Sequence, residues 1–268
     1  MNKNWKIGFV PILLLMILLV NHSVDAADKD KKKEKDSFDL PKNVLPISKE
    51  NTFPNVTENV EMMEPSEETK ALLKTADINI ENPELIAMLN ETTINPSPIG
   101  IGYRASIYLG RMPLEYKSED TSVIWDYNQV NENELNNIGG KDVQELQYYQ
   151  NKEKEIKGAL TNKISNTSIV KKMMLESSKQ KTNLPLSFTT KIGRNTKLDN
   201  IYEVPEDKSG LLETYAPAIN EKGKVIFGEV YVRLRGTSKE IEIKNVTKQG
   251  IGAWIPIQDH VALSFQLK

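Results

Sequence analysis

The 268-residue sequence contains no cysteine. This absence excludes disulfide bonds, thiol catalysis, cysteine-ligated zinc, iron–sulfur clusters and lipid attachment at a cysteine. Histidine is scarce as well, since His22 and His260 are the only two. His22 lies in an N-terminal segment that we predict to be removed as a signal peptide. A histidine-based zinc site or catalytic triad would therefore have only the imidazole of His260. We therefore predict no catalytic residues, no metal and no cofactor.

The chain also lacks an excess of charge of either sign, with 35 basic and 37 acidic residues and a formal net charge of −2. A protein without a positive field lacks the main driving force for nucleic-acid binding, so we expect no nucleic-acid partner. Hydrophobic residues make up 38% and charged residues 27%, which is ordinary for a globular chain. The basic residues are 30 lysines and 5 arginines, a bias that we interpret as codon usage of an AT-rich genome.

The N-terminus has the pattern of a secretory signal peptide. Two lysines precede an apolar run from Ile7 to Val20, and small residues follow at Val24 and Ala26. These features predict a signal peptide over residues 1–26 that is cleaved after Ala26. The apolar run of 14 residues is shorter than the roughly 20 that span a bilayer. The alternative is an uncleaved membrane anchor.

A highly charged segment follows the signal peptide. Residues 28–36 read DKDKKKEKD and contain no apolar side chain that could be buried on folding. Such a segment cannot offset the entropy that ordering costs, so we predict a disordered tether over residues 27–42. The remaining residues, 43–268, are enough for one folded domain.

Three helices are predicted from capping residues and apolar spacing. Ser66 caps the first, with acidic residues in its opening turn. Asn82 caps the second, with Pro83 at its first helical position, and a third is expected near Ser168. The predicted buried residues are Leu72 and Leu73 in the first helix, Leu85, Ile86 and Leu89 in the second, and Ile169, Val170, Met173 and Met174 in the third.

The rest of the chain alternates apolar and polar residues, as half-buried strands do. The alternating segments are 99–109, 184–192, 224–235 and 255–267. Asn-Glu-Lys-Gly at residues 220–223 is typical of a four-residue hairpin turn. Residues 143–156 fit neither spacing and stay undecided between helix and strand. We predict an α+β fold, a single domain with a largely antiparallel β-sheet and a few short helices.

Two predicted strand faces are candidates for ligand binding. The candidate residues are Tyr231, Arg233 and Arg235 on one strand and Trp254, Gln258 and His260 on the last strand. Guanidinium groups pair well with anions, and tryptophan offers a large flat ring. If the two strands lie close together, these residues form one patch for anionic polymer or carbohydrate. The alternative is that helices cover this side and make it a second core layer.

Asp259 stands out among the acidic residues because strict alternation places it on the apolar side of the last strand. A buried carboxylate needs a hydrogen-bonding partner or becomes protonated through a raised pKa. The alternative is that Pro256 introduces a bulge that turns Asp259 outward, or that an arginine pairs with it.

Three sequence blocks carry a family resemblance. They are NPELIAMLNETTINPSPIGIGYRASIYLG from Asn82, YAPAINEKGKVIFGEVYV from Tyr215 and NVTKQGIGAWIPIQDHV from Asn245. These blocks resemble the YfkD-like family of exported proteins from Bacillus-type Gram-positive bacteria, and the resemblance covers residues 45–268. It implies one domain, export and a Gram-positive envelope. The family brings no catalytic residues, so none carry over to this chain.

These observations predict an exported protein of a Gram-positive cell envelope, either extracellular or associated with the wall or membrane. We expect it to bind wall polymer or another envelope protein without catalysing a reaction. The alternative is a carboxylate-dependent hydrolase of cell-wall glycan, because composition does not exclude paired carboxylates. A third reading, an accessory to a membrane protein, applies if residues 1–26 are not cleaved, and only then do we expect a membrane partner.

Overall fold

The computed structural model describes residues 40–48, 51–52, 63–92 and 102–268. The predicted signal peptide and nearly all of the predicted tether lie outside these residues. No helix in the described ranges is long and apolar enough to cross a membrane.

The three predicted helices are confirmed as α1 (Glu67–Leu73), α2 (Pro83–Glu91) and α3 (Thr167–Thr182). The Ser66 hydroxyl accepts a hydrogen bond from the Thr69 amide, so it satisfies one free N–H of α1. The Asn82 side chain does the same for two amides of α2. Of the residues expected in the core, Leu73 is half-buried; those that are buried are Leu72, Leu85, Ile86, Leu89, Ile169, Val170, Met173 and Met174.

Ten strands make up most of the described residues, and every pairing between them is antiparallel. They are β1 (Val44–Pro46), β2 (Arg104–Asn136), β3 (Gln144–Tyr149), β4 (Lys154–Lys157), β5 (Ala159–Leu160), β6 (Thr189–Ile192), β7 (Lys197–Val204), β8 (Ser209–Arg235), β9 (Ser238–Pro256) and β10 (His260–Leu267). The predicted α+β fold with a largely antiparallel sheet is thus confirmed. The undecided segment 143–156 forms β3 and most of β4.

β8 is the central strand of the largest sheet. β2 pairs along one of its edges, whereas β10 and then β9 pair along the other. Each irregularity in these ladders places the extra residue in β2 or β9 and none in β8. Side chains along β8 therefore alternate strictly between two faces of the sheet.

The prediction of a hairpin turn at residues 220–223 is wrong, because these residues lie in the middle of β8. Gly223 is paired with Ser118 of β2 on one side and with Ile251 of β9 on the other. Both backbone edges are hydrogen-bonded, which leaves no position for a chain reversal. The reversal between β8 and β9 instead occurs at Gly236 and Thr237, where Gly236 has a positive φ of 57°.

Both faces of β8 are covered, but by different elements at different positions. α3 packs on the face that carries Ile219, Val225 and Phe227. On the opposite face, α1 and α2 pack over Val230 and Val232. Near the start of β8 this opposite face is covered by two-stranded sheets formed by β3 with β7 and by β4 with β6. Beyond Phe227, the α3 face of β8 therefore continues past the helix that covers it.

Candidate functional site

The end of the α3 face that no described helix covers is built from three adjacent strands. Cross-strand partners share a face, and Tyr231 of β8 is paired with Tyr108 of β2 and with Glu242 of β9. We call this surface the arginine face. Its residues are Arg104, Tyr108 and Arg111 of β2, Glu229, Tyr231, Arg233 and Arg235 of β8, and Glu240, Glu242 and Lys244 of β9.

Two tyrosines, whose rings contact each other at an angle of 37°, form the centre of the arginine face. The ring centroids of Tyr108 and Tyr231 are 5.0 Å apart, and the Tyr108 side chain is 54% exposed. The Lys244 ammonium lies 4.8 Å from the centroid of the Tyr231 ring, which is cation–π distance. Desolvation, followed by the hydrogen bond to Glu229, raises the pKa of Tyr231, so its hydroxyl stays a donor. The arrangement presents an aromatic surface with hydrogen-bonding groups at its rim.

Five basic side chains surround these tyrosines, against three carboxylates. Arg233 pairs with Glu242 at 2.8 Å, and the Nε of Arg235 lies 3.6 Å from Glu240. These groups are partly or largely exposed, and ion pairs in water contribute little to stability. A polyanion can therefore replace the carboxylates as their partner at small cost.

Arg111 takes a different position because its side chain crosses β8. Its guanidinium donates to the backbone carbonyl of Asn245 at 2.8 Å and to the hydroxyl of Thr247 at 2.5 Å, both on β9. Neither partner is charged, so the positive charge of Arg111 is not neutralised by a carboxylate of the described residues.

The structure brings Tyr231, Arg233 and Arg235 together but places the other predicted binding residues elsewhere. Trp254 is paired with Asn220, eleven positions from Tyr231 and on the opposite face of β8. At about 3.3 Å per residue this separation is about 36 Å. The condition for one joined patch, that the two strand segments lie close together, is therefore not met. The Trp254 ring stacks on Tyr127 with centroids 5.9 Å apart.

Gln258 and His260 lie at the turn between β9 and β10. The Nδ1 atom of His260 is 3.0 Å from the Gln258 carbonyl oxygen, and both residues are half-buried. The backbone of His260 is paired with Pro46 of β1. His260 therefore belongs to a tightly bonded turn remote from the arginine face.

Asp259 is also in this turn and is half-buried, so it is not the fully buried carboxylate that strict alternation would produce. Its backbone has a positive φ of 58°, so strict alternation is interrupted at this residue. The Thr52 hydroxyl donates to its carboxylate.

Among the described residues, the most deeply buried carboxylate is instead that of Glu221, a residue predicted to lie in a turn. Glu221 is 0% exposed and lies on the face of β8 that α3 covers. Its carboxylate accepts hydrogen bonds from the hydroxyls of Tyr116 at 2.8 Å and Thr121 at 2.5 Å. Burial, and then the nearby Glu221 charge, raises the pKa of Tyr116, which keeps its hydroxyl protonated as a donor. Because Glu221 has no contact with solvent, its role is to hold β2 against β8.

The described part of the chain does not indicate a metal site. No group of three or more histidine, aspartate or glutamate side chains there could hold a metal ion. What the arrangement of the arginine face can do chemically is bind an extended anion.

Four basic or aromatic residues of the arginine face were not predicted as binding residues from the sequence: Arg104, Tyr108, Arg111 and Lys244. The alternation of residues 99–109 does put Arg104 and Tyr108 on one side of a strand, which was the available signal. Nothing in the sequence specified that this strand pairs with residues 209–235, so the two halves of the surface could not be joined.

Fold and surface together describe an α+β protein built on one long antiparallel sheet with a basic, aromatic end. Comparison of the sequence with protein families gives a match to the family described as "YfkD-like protein" over residues 41–268. The chain belongs to this family. It is 50% identical over 233 residues to a Bacillus subtilis (strain 168) protein named "Uncharacterized protein YfkD", covering 87% of this chain and 88% of that relative. No solved structure matches the chain.

Proposed function

We propose that this protein is exported and binds an anionic polymer of the cell envelope through the arginine face, without catalysing a reaction. The observation that supports this function is the contact between the exposed Tyr108 ring and the half-buried Tyr231 ring, within a ring of cations that outnumber the carboxylates. Arginine provides planar donors for phosphate or carboxylate groups, and aromatic rings provide apolar contact for sugar or polyol units.

Export rests on the sequence of residues 1–26, with its basic start, apolar run and small residues before Ala27. We expect the protein recovered from the cell surface or medium to begin at Ala27, as measured by intact mass. A full-length mass in the membrane fraction would contradict cleavage and favour the membrane-accessory reading.

Binding is tested by co-sedimentation of residues 27–268 with purified wall sacculi. We expect Arg233→Ala combined with Arg235→Ala to weaken retention about tenfold, because two cations leave the surface. The matched control is Lys157→Ala combined with Lys191→Ala, which also removes two ion-paired cations from strands but away from the arginine face. Equal retention of both double variants and the wild type would rule out the arginine face as the binding surface.

The same incubation tests the absence of catalysis. A binding protein leaves the wall intact, so no soluble muropeptides or reducing ends are expected over a broad pH range. Their release, lost when one carboxylate is neutralised, would establish the hydrolase instead.

A further inference from the structure

The distribution of arginine within the fold is uneven. The chain has 30 lysines and only 5 arginines, namely Arg104, Arg111, Arg194, Arg233 and Arg235. Four of the five lie on the arginine face, and the remaining one, Arg194, lies in the exposed turn between β6 and β7. Codon bias explains why lysine is common, but it does not explain why the exceptions share one surface. The surface therefore uses the guanidinium group itself, and not only its charge.

Two of these arginines face each other directly. Arg104 at the start of β2 is the cross-strand partner of Arg235 at the end of β8, and both side chains are exposed. Like charges directly opposite one another destabilise a sheet. Arg104 has no ion pair with any residue of the described ranges, and Arg235 has only the 3.6 Å contact of its Nε with Glu240. The two cations thus share a single carboxylate contact, and an anion placed between the two guanidinium groups would supply the second counter-charge.

We propose that Arg104 and Arg235 bind a phosphate group of the polymer, an inference that rests on the proposed function. The planar guanidinium fork matches phosphate oxygens in a bidentate way, whereas the lysine ammonium acts as a point charge. A phosphate group holds its oxygens in a tetrahedral arrangement, so two guanidinium forks that do not share a plane can bind it together, whereas both oxygens of a carboxylate accept hydrogen bonds mainly in one plane. The ligand class is therefore a phosphate-containing polymer and not a polycarboxylate.

The two tyrosine rings lie within reach of the same ligand. Tyr108 is four residues from Arg104 on β2, and Tyr231 is four residues from Arg235 on β8. Four residues span about 13 Å along a strand. A polymer with its phosphate between Arg104 and Arg235 can therefore lay its next uncharged units on the aromatic rings.

The test replaces Arg104 and Arg235 together by lysine, which keeps the charge and removes both forks. We expect the affinity of residues 27–268 for inorganic polyphosphate, measured by direct titration, to fall about tenfold, whereas the affinity for polyglutamate of matched length changes little. Arg194→Lys is the control and leaves both affinities unchanged, because Arg194 lies away from the arginine face. Equal affinity of the wild type for the two polymers, or a double-lysine variant that binds polyphosphate like the wild type, would overturn the proposal.

A third probe separates polymer from membrane. We expect weak binding to phosphatidylglycerol vesicles. If the vesicles bind as tightly as polyphosphate does, and the double-lysine variant loses this binding, the arginine pair recognises lipid headgroups instead. Failure of the proposed function looks different. In that case wall sacculi do not retain the wild type, whereas the arginine-dependent preference for polyphosphate over polyglutamate persists in titration.

Discussion

Replacing Glu221 with alanine is expected to lower the free energy of unfolding by about 3 kcal/mol. The carboxylate is fully buried, and the hydroxyls of Tyr116 and Thr121 both donate to it. Removing it leaves the buried Tyr116 hydroxyl and the half-buried Thr121 hydroxyl without this partner. A buried donor without a partner costs about 1–3 kcal/mol and a half-buried one less, and part of the cost is recovered because a buried charge disappears. Urea unfolding of the wild type and variant measures the difference.

Glu213→Ala is the matched control for this substitution. Glu213 lies on the same strand and the same face as Glu221, but it is half-buried, and its two amide partners are at 3.5 Å. Its loss is expected to change the free energy of unfolding by less than about 0.5 kcal/mol, the range usual for surface positions. Equal effects of the two substitutions would show that the Glu221 network does not hold β2 on β8.

Gly223→Ala is expected to destabilise the fold by about 3 kcal/mol or more. A Cβ at this position would lie 2.2 Å from the carbonyl oxygen of Lys117 and 2.5 Å from the hydroxyl of Tyr116. The first contact is with backbone of the paired strand, which cannot move without breaking the ladder, and overpacking of this kind costs about 1–3 kcal/mol or more. Displacement of Tyr116 also weakens its hydrogen bond to Glu221. Thermal or urea unfolding gives the value.

Gly250→Ala provides the comparison within the same sheet. Gly250 of β9 is the cross-strand partner of Lys224, the residue that follows Gly223 on β8. A Cβ added at Gly250 would meet no atom within 4 Å. Because alanine reduces the entropy of the unfolded chain, we expect a neutral or slightly stabilising effect of up to about 1 kcal/mol. A large loss of stability at Gly250 would mean that glycine is needed throughout this region for a reason other than close packing.

Local sequence signals predicted the helices correctly because those signals act over a few residues. Ser66 and Asn82 cap helices in the structure through hydrogen bonds to amides two or three positions away. The methionines of α3 are buried as their helical spacing indicated. Both partners of such interactions lie within a few residues of each other, so a short stretch of sequence is enough to predict them.

The turn predicted at residues 220–223 failed because tertiary pairing overrode a local preference. Asn220 and Gly223 favour turns in isolation, yet β2 and β9 pair with both sides of this segment. Glu221 is satisfied there by residues about one hundred positions earlier in the chain. No local pattern contains such partners.

Only the β8 residues of the candidate site could be predicted from the sequence, and the β2 residues could not. Alternation placed Tyr231, Arg233 and Arg235 on one face correctly, since β8 has no irregularity of its own. The contribution of β2 depended on pairing across more than one hundred residues and on an extra residue at Leu109, which brings Arg111 opposite Glu229. The scarcity of arginine became informative only when the fold showed that four of the five share one surface.

The central claim, that this protein binds an anionic envelope polymer, is tested most directly with the wild-type protein. Residues 27–268 are mixed with sacculi that carry their anionic polymers and with sacculi stripped of them, at low and high salt. We expect retention that requires the polymer and falls steeply with salt, because the binding is a contact between several cations and a polyanion. Equal retention by stripped sacculi, or no retention at low salt, would contradict it.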